Sequence, residues 1–518
     1  MKQLLSALSI LFLNCLLLGI FSYTTQTNGD QANVLVPFTP DIPRTWDSTA
    51  MATVELPLAT SKASPKHVPT SYYYQLPERV IYKNYPVYAP GREPKGYWEW
   101  LKKQEPQVVF DPAKLKTEAD WIKAGELLFD APIDLDGAII SDEDIRDPAF
   151  YAYTKMPLTK DGIMPYARYV IPEKGKVLTG NLACSMCHTR VESNGMVLKG
   201  AQGNFPGDLA TAWLIRKPDF PEAGAQFLSG ILFDAPFVKD DPNSQLSHSS
   251  KAAITKAFEA VPPGTFGRQG TSILFPPSVP DLIGVQDRTY LDHGGLSRHR
   301  NIGDMMRYIA INQALDFLGD YDGYIPAGDQ HKTRPEAGKS RFTGTFDRHS
   351  EAQLYALAKY VYSLKPPVNP NKPTEISKRG ETVFIEQGCV SCHTPPLYTN
   401  NMLTPADGFT VPEDHLKKYD IFDISIGTDP GYTLKTRRGT GYYKIPSLKG
   451  VWYRGPFLHD GSLAKLDDML DPKRLRDDYI PTGFKGADVK TRAVRGHEFG
   501  LELSPTDRNA LLAFLKTL

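Results

Sequence analysis

Cysteine is scarce, with five in 518 residues, too few for a disulfide scaffold. Neither sign of charge dominates. The 59 Lys and Arg balance 59 Asp and Glu, a formal net charge of zero, and the basic excess of a nucleic-acid binder is missing. Long apolar runs are missing too, apart from Leu4–Phe21. No other segment approaches the ~18–20 residues of a membrane span. What is present is a hydrophobic fraction of 41%, ample for packed cores and incompatible with global disorder. Gly (41) and Pro (43) make up about one residue in six, which predicts many loops and turns short of low complexity. The length suits two to four domains of roughly 100–200 residues each.

The single apolar run is an address. Lys2 precedes Leu4–Phe21, and the polar stretch Thr24–Gln31 follows. This pattern fits a secretory signal or an uncleaved N-terminal anchor over residues 1–23, and no small-x-small cleavage site decides between them. Cys15 follows Phe-Leu-Asn rather than the small residues of a lipidation site. The expectation is a periplasmic or secreted protein, touching a membrane only through residues 1–23 if they are retained.

The other four cysteines form two pentapeptides, Cys184-Ser-Met-Cys187-His188 and Cys389-Val-Ser-Cys392-His393. Cys-x-x-Cys-His is the attachment signature of c-type haem. Two thiols three positions apart meet the two vinyl groups of one porphyrin, and the adjacent His reaches the iron. Zinc ribbons pair their Cys-x-x-Cys units ~15–20 residues apart, not about 200, and a redox dithiol needs no His. Two covalently bound haems c are expected, with His188 and His393 on the irons. Haem attachment occurs outside the bacterial cytoplasm, in agreement with export.

The surroundings of the two motifs repeat. Ala124–Phe129 answers Arg379–Phe384, Val279–Val285 answers Ile445–Val451, and Tyr290–Leu296 answers Phe457–Leu463. Ala356–Leu364 answers Ala510–Leu518. Thr117 and Asp120 form a capping-box pair, and Ser350 and Ser504 stand where N-caps belong. Gly125 and Gly380 each cost a helix ~1 kcal/mol, which close crossing against the matched closing helix would offset. The order of helix, haem motif and helix is that of cytochrome c domains. The expected fold is therefore mainly α: two cytochrome c-like domains in tandem at 116–364 and 375–518, joined by an extended Pro-rich linker at 365–374. About 50 additional residues separate glycine helix from haem motif in the first copy, a lid or substrate-side insertion. Residues 24–115 carry no helical period and read as a loop-rich, partly β, Pro/Tyr-rich extension, with β-prone runs at Ser71–Gln75 and Val80–Tyr85.

Arg454-Gly-Pro-Phe-Leu-His459-Asp-Gly-Ser462, after the second motif, resembles a segment of the bacterial dihaem cytochrome c peroxidase/MauG superfamily. The haem spacing, the N-terminal extension and the closing Gly496-His497-Glu498-Phe499-Gly500 look most like the dihaem rubber-oxygenase-like cytochromes. The resemblance covers about residues 40–518. It implies a reactive haem at His188, an electron-relay haem at His393, and chemistry on peroxide or dioxygen fed by a redox partner protein or a small-molecule electron donor. One departure matters. Where peroxidases of the family carry a carboxylate, Asn312 and Gln313 stand here, and an amide cannot relay a proton as a carboxylate does.

The remaining histidines sort by context. His497 follows Gly496 in the second copy alone and is, with the resemblance, the expected distal ligand of the relay haem. Met469 is the alternative, since a thioether would raise the potential. His459 reads as a residue that hydrogen-bonds a haem propionate or backbone. His293, Asn312 and Gln313 are the residues expected near the first haem, though His293 could equally face the surface. Tyr290 and Trp213 are aromatics for the space between haems or for ordinary packing. A calcium ion stays open as a further cofactor. The reading is an exported dihaem oxidoreductase of peroxidase or oxygenase type. The alternative is a non-catalytic electron-transfer cytochrome with both irons six-coordinate.

Overall fold

Two glycines let pairs of helices cross closely. In a computed structural model, which describes residues 38–518 apart from 136–138, 314–317, 327, 329–330, 335 and 338–346, helix Glu118–Phe129 crosses helix Glu351–Ser363 at Gly125. A Cβ at Gly125 would overlap the Ala356 carbonyl. Helix Glu375–Glu386 crosses Pro505–Leu515 in the same way, with Gly380 against the carbonyl of Ala510. The expected close crossing is thus present in both copies. Thr117 caps its helix in a capping box with Asp120, Ser350 does so with Gln353, and Ser504 accepts from the Asp507 N–H. The segment between Ser363 and Glu375 forms no helix or strand.

The fold is less helical than the sequence predicts: 34% helix and 12% strand. "Mainly α" gives way to a mixed architecture, in part because the first-copy insertion carries a β-hairpin. Its strands Ile163–Glu173 and Lys176–Gly180 pair antiparallel, and Asn84–Tyr88 from the N-terminal region adds the third strand. Tyr85, Val87, Met164 and Tyr166 alternate onto one face and bury a core that includes Met186 of the first haem motif. The insertion therefore backs the first motif. The other sheets are two-stranded.

The N-terminal region also departs from expectation. Ser48–Val54, Thr70–Gln75 and Tyr97–Lys102 are helices. Each is under two turns, too short to display a 3.6-residue period. Tyr73, in the run read as β-prone, stacks on Trp46 at 4.3 Å between ring centres. Pro40–Leu518 form one compact unit. Residues 1–23, with Cys15, lie outside the described residues. Among the described residues no helix is long and apolar enough to cross a membrane.

Candidate functional site: two haem-attachment motifs

The first motif is one helical turn, Cys184–Cys187, closed by the His188 N–H on the Cys184 carbonyl at 3.0 Å. His188 Nδ1 donates to the carbonyl of Pro280 at 3.0 Å, so Nε2 is the nitrogen left for a metal. Burial pulls its imidazole down to about 4 and pushes the thiols of Cys184 and Cys187 up to about 11 and about 12. The second motif turns through Cys389–Ser391, and His393 Nδ1 donates to the carbonyl of Tyr398 at 3.2 Å, with the Pro446 carbonyl also in reach. Pro280 and Pro446 occupy matched positions of the repeat. Pro280 O thus orients His188, whereas in the second copy Tyr398 O holds His393 and the matched Pro446 carbonyl stands close by.

A cavity of about 320 Å³ opens beside the second motif, a size that suits a cofactor. Cys389, Cys392 and His393 form one side, and His497 and Met469 also line it. The His393 and His497 rings are 6.2 Å apart, centre to centre. Two imidazoles on opposite faces of one metal, each at roughly 2 Å, stand about that far apart. The residues present fit a haem on a second count. Arg288, Lys444 and Arg454 stand in the lining against one lining carboxylate, Asp281, with Asp292 and Asp287 close to them, and cations at the wall suit the carboxylates of a porphyrin. Burial, with Arg288 beside it, brings the Lys444 ammonium down to about 7.

His497 is held by its backbone. Arg474, fully buried, donates to the carbonyls of Val494 (2.6 Å), Gly496 (3.0 Å) and His497 (2.7 Å). The His497 N–H bonds Ile426 O at 2.9 Å. Gly496, at φ +83°, backs onto Gly427 with no room for a Cβ. Phe499 meets the His497 ring edge-on at 5.4 Å and is 48% exposed. His459 lines the cavity, packed on Tyr443 at 4.6 Å, with its carbonyl bonded to the Ser278 N–H at 2.6 Å.

Two residues singled out from sequence, His293 and Asn312, sit elsewhere than expected. His293 faces neither the first motif nor the surface. It lines the second cavity, with Nε2 2.7 Å from Ser278 O. The preceding Asp292 adopts a left-handed φ of +62° and anchors its carboxylate on Arg438 (2.7 Å) and Tyr308 (2.9 Å), which turns His293 away. Asn312 is consumed in this network. Its Oδ1 accepts from Arg268 (2.6 Å) and Arg438 (2.8 Å), and its Nδ2 donates to Tyr308 O (2.7 Å). Burial opposes ionisation of Asp292, but Arg438 and Arg268 outweigh it and hold the carboxyl well below its usual range. Trp213 lies off the cavity, its indole N–H on Asp144 at 2.8 Å. Tyr290 does line the cavity, and its hydroxyl donates to Asp420 at 3.0 Å. Gln313 alone of the amide pair reaches the first motif, with Nε2 3.4 Å from Cys184 Sγ. Sequence reasoning missed the arginines and Lys444. Only the matched prolines carried a signal, as part of the repeat. Calcium finds no support, since among the described residues no three His, Cys, Asp or Glu side chains group to hold an ion.

No family model matches the chain. A cytochrome-c peroxidase of Denitromonas iodatirespirans is 30% identical over 113 residues, 18% of this chain and 30% of the relative. The methylamine utilization protein MauG of Methylorubrum extorquens is 29% identical over 147 residues, 27% of this chain and 34% of the relative. The chain thus spans about a third of the length of these relatives. A solved diheme peroxidase from Burkholderia thailandensis aligns over 84% of this chain and 94% of its own at 15% identity and a TM-score of 0.25. In its two attachment motifs and over these matched segments the chain resembles the dihaem cytochrome c peroxidase/MauG proteins.

Proposed function

We propose that the chain is an exported dihaem c-type cytochrome that works as an oxidoreductase, with a reactive haem on Cys184, Cys187 and His188 and a relay haem on Cys389, Cys392 and His393. The proposal includes tandem haem domains at 116–364 and 375–518. One observation carries the division of labour: the 6.2 Å between the His393 and His497 rings, which suits a second haem gripped on both faces. His497 takes precedence over Met469 on that geometry. Among the described residues, no histidine stands to His188 as His497 does to His393. A bound haem would supply one-electron chemistry and, where a face is open, a site for dioxygen or peroxide.

The chain's own groups have distinct tasks. The carbonyls of Pro280 and Tyr398 fix the tautomer and direction of His188 and His393. Arg288, Lys444 and Arg454, which line the second cavity, would receive the carboxylates of a haem bound there. Asn312 holds Arg268 and Arg438 in place rather than meeting substrate. Gln313 offers the first site an amide where a peroxidase offers an acid, so peroxide should turn over slowly while small diatomic ligands bind readily. Electrons would come from a redox protein or small donor.

The test is titration of the reduced holoprotein with carbon monoxide. Half of the haem should bind it, and His188→Ala should abolish that half. A protein that binds none is an electron carrier with both irons closed.

A further inference from the structure

Pro280 serves two sites at once. Its carbonyl accepts from His188 Nδ1 at 3.0 Å, and the same residue lines the cavity beside the second motif. Pro446, at the matched position of the repeat, lines that cavity beside its own motif. The first motif fits a haem by its donor set. Cys184 and Cys187 are free thiols on one turn, and His188, with Nδ1 taken, keeps Nε2 for an iron. A haem filling the second cavity would therefore touch the residue that holds the iron ligand of the first. The chain fixes Pro280 in that place. The Val279 N–H donates to Gly264 O at 2.8 Å, and the Leu282 N–H to Gly200 O at 2.7 Å. Ser278 donates its hydroxyl to Leu458 O at 3.1 Å and its N–H to His459 O at 2.6 Å, which ties the segment to the second half. The two aromatics considered for the space between haems offer no such bridge. Trp213 lies off the cavity, on Asp144. Tyr290 lines it but packs on Leu56, Leu403 and Tyr442 and turns its hydroxyl to Asp420.

We propose that Pro280 is the electron link between the two haems, carrying the electron from the second porphyrin through its peptide and the hydrogen bond to His188. The proposal rests on the dihaem reading, but not on the first iron being open. One electron passes. One haem goes from ferrous to ferric and the other from ferric to ferrous, with no bond broken and no proton moved. The route needs no aromatic side chain, and its only non-covalent step inside the protein is the 3.0 Å bond at His188.

The test is made on the holoprotein. A pulse of radiolytic electrons reduces one haem, and the exchange between the two haem spectra gives the transfer rate directly, without turnover. His188→Nδ-methyl-His keeps the Nε2 ligand and removes the donated proton. The rate, corrected for the measured potentials of the two haems, should fall about tenfold, the low end of what losing a ligand's outer partner costs. The ferrous iron–histidine stretch of the first haem should shift down in the same variant. A corrected rate that holds while the stretch shifts, or one that falls as far in Tyr290→Leu, overturns the proposal. Where the variant takes up no first haem, a crystal structure of the wild-type holoprotein decides. Pro280 must then lie in van der Waals contact with the second porphyrin, within about 4 Å, with its carbonyl on His188. Another residue or solvent between them overturns the proposal. A holoprotein with one haem overturns the dihaem reading itself, whereas two haems and an unchanged rate overturn the link alone.

Discussion

The backbone of His497 is fixed by groups with no redox role of their own, chiefly the Arg474 guanidinium. Removing the imidazole should therefore leave the loop in place. His497→Ala is expected to turn one low-spin haem signal high-spin and leave the other haem's signal alone; an unchanged spectrum would transfer the role to Met469. Asp144 is a second residue whose environment can be read directly. Burial works to raise its pKa, but Lys217 at 2.7 Å, Ser141 and the Trp213 indole outweigh that and lower it. A carboxylate with a lowered folded pKa stabilises fully above its unfolded value, near 3.9, and loses that contribution as pH falls through the folded value. Asp144→Asn should cost about 1–3 kcal/mol at neutral pH. Urea unfolding should show the gap to wild type closing below about pH 4; a gap that persists in acid would mean that packing, not charge, is lost. At this scale the sequence was legible where covalent chemistry dictates spacing, as in the two pentapeptides, and where a motif such as Gly496-His497 broke the repeat. His293 was not legible. Its direction depends on the left-handed turn at Asp292, which a partner 146 positions away, Arg438, pins in place.

At the scale of elements the two glycine crossings are the firmest feature. Alanine is the better helix former by ~1 kcal/mol, and on an isolated helix Gly380→Ala would stabilise. Here the added Cβ would overlap a backbone carbonyl, that of Ala510, with Phe514 close behind. Backbone cannot rotate aside as a long side chain can. Gly380→Ala is expected to cost about 1–3 kcal/mol net, read by chemical denaturation of the holoprotein; a stabilised variant would show that the helices slide apart freely. These crossings were readable because a helix glycine beside a matched aromatic recurs twice. The short N-terminal helices were not, since six or seven residues carry too little period. The strand Asn84–Tyr88 fell close to the β-prone run Val80–Tyr85, but its partner Ile163–Glu173 lies in a distant insertion. No local pattern announces a pairing across that distance.

The whole molecule is tied together by polar groups that cross between its halves. Arg438 reaches back to Asp292 at 2.7 Å with both side chains over 90% buried, and to Asn312 at 2.8 Å. Its neighbour Arg437, 1% exposed, donates to the carbonyls of Ile231 (2.8 Å) and Leu232 (3.0 Å). Gln202 donates to Pro456 O at 2.9 Å and accepts from the Gly455 N–H at 3.1 Å. Tyr453 donates to Asp281 at 3.0 Å, again across the halves. Each of these groups would be left buried and unmet if one half opened alone, and a stranded buried charge costs ~3–5 kcal/mol. Independent unfolding of the halves is therefore disfavoured despite the extended linker between them. Calorimetry of the holoprotein should give a single transition. Arg438→Met, which removes the closest cation from the buried Asp292 carboxylate and leaves it Arg268 and Tyr308, should lower that transition as a whole, by at most about 3–5 kcal/mol. Two resolved transitions in the wild type, or a variant in which only one of two responds, would mean that the crossing contacts do not couple the halves.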